Sequence, residues 1–229
     1  MKLDKNLPVR LVFYFGGQLL VAFGVALAIK SNLGISPVSS PSFAAYNVLL
    51  AHGIQTISYG TCYTIFYLLC MLVQVILLRR EYKIINLLQI FVSTVFGWFV
   101  DFATGIVGPT FEMNYFARLG LLAAAIVVIA IGVSFYFGAN ILPMPSEGVT
   151  QAVAKKLKGR PFHQVKVMMD CTFVGMAVII GFAGTGHLVG VREGTVLTAL
   201  LVGPVMGLLK PFIDPLLKRF SPKDGAVSP

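Results

Sequence analysis

The chain has 229 residues, of which 57% are hydrophobic and 12% charged. Soluble domains carry about 25% charged residues, so an ordinary soluble fold is excluded. The net charge of +9 does not indicate a nucleic-acid partner, because the lysines and arginines gather in short clusters between apolar stretches, as they do in loops facing the cytoplasm. Those stretches are each about 20 residues long, enough to cross the ~30 Å hydrocarbon core of a bilayer. The chain therefore reads as an all-α, polytopic membrane protein whose first partner is the lipid bilayer.

In chain order, the basic segment Met1 to Arg10 carries no cleavage site and leads into an uncleaved first span, residues 11–29. Residues 31–41 hold four serines, two prolines and a glycine. Such a stretch cannot continue a lipid-exposed helix. A short helix follows within 31–53, but ten residues cover only about 15 Å, so it enters the membrane without crossing it. Spans at 57–78 and 84–107 flank the basic turn Arg79-Arg80-Glu-Tyr-Lys83. A nearly neutral loop, 108–115, then divides the chain into halves 1–107 and 116–220. The second half repeats the order: a span at 119–137, a break and short helix over 140–158, and spans at 162–182 and 194–209. Residues 211–220 mix leucine and phenylalanine with basic residues and read as a surface-lying segment. Residues 221–229 read as a disordered tail.

The two halves match at a fixed offset of 108 positions. Gly24/Gly132, Val25/Val133, Asn32/Asn140 and Pro37/Pro145 are identical, so each half carries the same broken helix. Re-entrant short helices leave six crossings. With both termini inside, only Lys30, Arg118 and Arg192 face outward, and the other fifteen of the 18 basic residues lie inside. Because each half crosses three times, the second half begins on the opposite side from the first. Inverted units with broken helices meeting near the midplane are the architecture of many secondary transporters.

Several residues are candidates for chemistry. Asp170 sits about 12 Å into its span by helical rise. A carboxylate there needs a partner, a cavity or a proton, which makes it a candidate for proton coupling. Asp101 lies nearer the other surface, beside Trp98 and Phe99. Glu147 stands at the start of the second short helix, where it can cap the helix or contact a substrate or ion. Asn32, Ser36, Ser39, Ser40, Asn140 and Ser146 line the two breaks, where unwound carbonyls and helix N-termini can hold a ligand. Tyr59, Thr61, Tyr63 and Gln74 are candidates to line a pathway. Cys62, Cys70 and Cys171 lie within spans at no metal-like spacing and read as small buried residues. No phosphate loop, Ser/His/Asp set or Cys/His cluster is present. The sequence therefore points to no cofactor, no metal and no enzyme.

Two groups of residues resemble the YczE/YyaS/YitT group of bacterial membrane proteins. Val167-Met-Met-Asp170, Gly181, Gly184, Gly194-Thr195 and Ala199-Leu-Leu-Val-Gly203-Pro204 are similar to its second half. Gly24, Leu33-Gly34, Ser36-Pro37 and Gly97 with Asp101 are similar to its first. Arg192-Glu193 departs from the pattern, which has small residues there. The resemblance implies an integral protein of the bacterial cytoplasmic membrane, with a loose suggestion of export and no substrate. The expected function is secondary transport of a small organic solute, with protons as the coupling ion. A passive channel and a non-transporting accessory or signalling protein are the alternatives, and a second copy of the chain remains an open partner.

Overall fold

The computed structural model describes residues 6–109, 113–157 and 159–218. The expected tail, 221–229, lies outside the described residues. Among those described, the protein is all helical: α1 (Leu7–Ser31), α2 (Ser40–Ala51), α3 (Tyr59–Leu78), α4 (Gln89–Val107), α5 (Tyr115–Ala139), α6 (Pro145–Lys156), α7 (Phe162–Thr185) and α8 (Glu193–Lys218). Two 3-10 turns, Arg79–Glu81 and Ile84–Leu88, join α3 to α4. All the helices except α2 and α6 contribute to six segments long and apolar enough to cross a membrane. The exposed surface of these segments carries Trp98, Phe102, Phe116, Ile179 and Leu208, the apolar face a lipid-embedded bundle requires.

The two broken helices have the same build. Helices α1 and α5 are each 25 residues long, and α2 and α6 are each 12. Each long helix ends on an asparagine in the left-handed region, Asn32 at φ 51° and Asn140 at φ 47°. Asparagine tolerates that conformation better than other side-chain-bearing residues, and it closes the last turn. The Asn32 amide donates to the Ile29 carbonyl and that of Asn140 to Phe137, both at 3.0 Å.

Helices α1 and α5 cross antiparallel through glycines. A Cβ placed on Gly24 would meet the Ala125 carbonyl at 3.1 Å and the Ile129 amide at 3.0 Å. On Gly132 it would meet the Gly17 carbonyl at 2.6 Å and the Val21 amide at 2.8 Å. Adding 108 to the residues of one contact set produces the other. Small residues let the two backbones touch, which is how helices associate where lipid removes the hydrophobic incentive. Around this pair, α4 packs on α1 and α8 on α5, while α2 lies against α7 and α3, and α6 against α3 and α7.

Two expectations are corrected. Residues 211–218 do not form a separate surface segment, because α8 runs unbroken to Lys218 through Pro204, Pro211 and Pro215. A proline removes one amide donor and bends a helix without ending it, and the buried Ile213 keeps this stretch on the bundle. Cys171, expected to be buried, is exposed, while Cys62 and Cys70 are buried. Helix α7 turns only Val165, Phe173, Ala177 and Gly181 fully inward, and residue 171 falls between those positions.

Candidate functional site

The two short helices, one from each half, begin against the same stretch of α3. Tyr59, Tyr63 and Tyr67 recur every fourth residue and so share one face of that helix. All three are buried. Their rings form a ladder, with centroids 5.7 Å apart from Tyr59 to Tyr63 and 4.9 Å apart from Tyr63 to Tyr67. The Tyr63 hydroxyl shares a hydrogen bond with Ser39 Oγ at 2.9 Å, and Ser39 bonds Ser36 Oγ at 2.7 Å. One turn further along, the Tyr67 hydroxyl donates to Met144 Sδ at 3.4 Å. Ser39 is the N-cap of α2 and Met144 that of α6. The positive ends of two helix dipoles are therefore brought together across a single turn of α3.

The unwound backbone of each break is satisfied by the opposite half, as irregular chain at membrane depth requires. In the first break, the Ile35 amide donates to Gly190 O at 3.1 Å and the Leu33 carbonyl accepts from Gly194 N at 2.7 Å. Arg192 donates to Asn32 O at 2.7 Å. In the second break, Arg10 donates to Ala139 O at 2.9 Å and to Asn140 O at 2.7 Å. Tyr14 donates to Leu142 O, and Gln89 and Gln74 donate to Pro143 O and Pro145 O at 3.0–3.2 Å. An arginine thus closes the C-terminal end of each long broken helix.

A polar cluster surrounds the start of α6. Glu147 accepts from the Met144 amide at 3.2 Å through one carboxyl oxygen, and its other oxygen is hydrogen-bonded to the Tyr136 hydroxyl. Tyr14 meets Tyr136 edge-on, with centroids 6.4 Å apart. Tyr14, Tyr67 and Lys166 are all within electrostatic reach of the carboxyl. One turn from Tyr14 on α1, Gln18 is wholly buried, and neither atom of its amide has a hydrogen-bond partner among the described residues. The Tyr59 hydroxyl is likewise buried without one. Beyond the first break, an open hollow of about 490 Å³ lies between the end of α1, α2 and the α7–α8 connection, with Asn32, Asn47, Thr185 and His187 on its wall.

The residues singled out from sequence are therefore only partly brought together. Ser36, Ser39, Ser146 and Glu147 meet at the tyrosine ladder, together with Tyr59 and Tyr63. Ser40 is buried, but its hydroxyl is engaged with Pro37 O at 2.7 Å. Asn32 and Asn140 act as helix ends with exposed side chains. Asp101 binds the start of α3, accepting from Ser58 Oγ at 2.6 Å and Gly60 N at 2.7 Å. Thr61, exposed, bonds Ser58. Asp170 accepts from Lys166, four residues back on α7, at 2.5 Å. Tyr14, Gln18, Tyr67, Gln89, Tyr136 and Arg10 were not singled out. The polar Gln18 in an apolar span was the visible clue to that group.

Residues 8–211 match a family described as a family of unknown function (DUF6198). The chain is similar to the uncharacterized membrane protein YczE of Bacillus subtilis (strain 168), with 28% identity over 89% of this chain and 86% of that protein. It is also similar to the uncharacterized protein YyaS of the same organism, at 24% identity over 90% of this chain and 94% of that one. Both names fall within the group that the sequence motifs resemble. No solved structure matches the chain.

Proposed function

We propose that this membrane protein, which belongs to the DUF6198 family, is a secondary transporter of a small organic solute, built from two inverted units and without enzymatic activity. One observation carries the reading: α2 and α6, from opposite halves, start at adjacent tyrosines of α3, bonded through Ser39 to Tyr63 and through Met144 to Tyr67. Broken helices meeting at depth are where transporters bind solute, because unwound backbone and helix N-termini supply polar groups without a lipid-exposed break. The antiparallel crossing of α1 and α5, with contacts that interchange at the 108-residue offset, supports an inverted pair. Such a pair can exchange conformations and open the site to either side in turn.

Charge placement supports cytoplasmic termini and a bacterial cytoplasmic membrane. Arg10 reaches the end of α5, and Lys155 and Lys156 pair with Glu81 in the α3–α4 connection, which gathers the basic clusters at one end of the bundle. Lys30 donates to Val107 O and Arg192 to Asn32 O at the other end.

The test is a thermal-stability screen of small metabolites on purified protein, wild type beside Ser39→Ala and Tyr67→Phe, followed by counterflow in liposomes. A compound that stabilises wild type but neither variant, and that exchanges saturably, is the expected result. Flux without saturation would make the protein a passive channel. If no compound binds and a protein copurifies, the accessory role replaces transport.

A further inference from the structure

We infer that Glu147 is the proton-carrying group of this protein, held in the present arrangement as a neutral carboxyl between the Tyr136 hydroxyl and the Met144 amide. The inference rests on the transport reading for its purpose, but the protonation itself does not. A carboxyl inside a membrane bundle must be paired with a cation, neutralised by a proton or exposed to a water-filled cavity, and Glu147 is half-buried at the start of α6. Asp170 is paired, since Lys166 Nζ stands 2.5 Å from its Oδ1. Glu147 makes no ion pair among the described residues.

The groups that face Glu147 come from four helices. Tyr14 of α1 donates its proton to Leu142 O, and Tyr67 of α3 donates to Met144 Sδ. Tyr136 of α5 bonds the carboxyl itself: with Oε2 accepting from the Met144 amide, the proton of the neutral carboxyl sits on Oε1 and is donated to the Tyr136 oxygen. Lys166 of α7 is within electrostatic reach but is held by Asp170. The first three are neutral phenols, and Lys166 is already compensated by Asp170. The guanidinium of Arg10, which enters the same break from α1, is directed at the Ala139 and Asn140 carbonyls. Gln18, fully buried with an unpartnered amide, adds a neutral dipole one turn from Tyr14. The start of α6 offers a partial positive charge but no counter-ion.

The position of the carboxyl gives its proton a mechanical consequence. Glu147 Oε2 fastens the Met144 amide, the N-cap of α6, while Oε1 faces Tyr136 in the last turn of α5. The carboxyl thus ties together the two sides of the second break. When the carboxyl O–H bond breaks and the proton passes to water, the carboxylate gains a full charge that this setting does not balance. It must then be reached by water or by Lys166, and either change loosens the tie. The second half is in this way sensitive to pH at its hinge.

The experiment is infrared difference spectroscopy of the full-length protein in lipid bilayers, stepped from acidic to alkaline buffer. Wild type should lose a protonated-carboxyl C=O band on the alkaline step. Glu147→Gln should reduce that band to background, and Asp170→Asn should retain it. Tyr136→Phe should keep the band but shift its frequency, because one hydrogen bond has gone. The inference is overturned if the band survives in Glu147→Gln, if it vanishes in Asp170→Asn, or if Tyr136→Phe leaves its frequency unmoved. Should Glu147→Gln fail to fold, the Asp170 and Tyr136 variants still decide. Failure of the transport reading would look different: no solute counterflow, with the Glu147 band present.

Discussion

Three acids placed inside the bundle have different solutions here, and the difference lies in who answers them. Asp101 is used on backbone and hydroxyl donors at the start of α3, through bonds of 2.6 and 2.7 Å. Hydrogen bonds to a charged acceptor are each worth about 1.5–3 kcal/mol. Asp101→Ala should therefore lower stability by about 2 kcal/mol, measured as the melting temperature of purified protein in detergent. Thr61→Ala removes only an exposed hydroxyl from the same turn and should change stability by less than about 1 kcal/mol. Similar losses for both variants would show that the Asp101 bonds do not hold the turn. For Asp170, the partner was legible in the sequence, because Lys166 lies four residues back on the same helix face. For Glu147 it was not. Tyr136 is on a different helix and Tyr14 lies far off in the other half, so only the folded chain shows a carboxyl surrounded by phenols rather than by a cation.

At the scale of elements, the breaks were legible because proline, serine and glycine interrupt an apolar pattern, and because the interruption recurs at the same offset. What holds each break in place was not legible. Gln74 read as a candidate to line a pathway and Gln89 was not singled out, yet Gln74 Nε2 donates both to Gln89 Oε1 at 3.1 Å and to Pro145 O at 3.0 Å. Gln74→Leu leaves buried carbonyls without their donor and should cost about 2 kcal/mol, within the 1–3 kcal/mol expected of an orphaned group. Gln89→Leu should behave alike. The double variant should cost less than the sum, since each single change already breaks their shared bond. Additive losses would mean the two glutamines act separately. The α1–α5 crossing gives a sharper contrast among glycines. Gly132→Val places side-chain atoms within about 3 Å of the α1 backbone and should destabilise by at least ~2–3 kcal/mol. Gly16 has nothing within 4 Å of an added Cβ, so Gly16→Ala should leave the melting temperature unchanged or slightly raised. Equal effects would remove the crossing as the joint between the halves.

For the whole molecule, an inverted arrangement makes a claim about sides that no single contact can test. The asymmetry of lysine and arginine leads to the expectation that α2 and α6 enter from opposite faces, and the two helices end beside different partners. The Lys155 end of α6 joins Glu81, while α2 ends at Ala51, close to the hollow beside Asn32. Ser40 and Ser146 are buried and poor targets for a reagent, so the exposed helix ends are the better reporters. With the native cysteines Cys62, Cys70 and Cys171 replaced, His52→Cys should react with a membrane-impermeant maleimide in intact cells. Lys155→Cys should react only after the membrane is inverted or opened. Labelling of both from one side would rule out an odd number of crossings between them and dissolve the inverted pair. Opposite-side labelling, joined to the contacts that interchange at Gly24 and Gly132, leaves a bundle whose two halves can trade conformations. That property is what the proposed transport requires if one site at the tyrosine ladder is to serve both faces of a membrane.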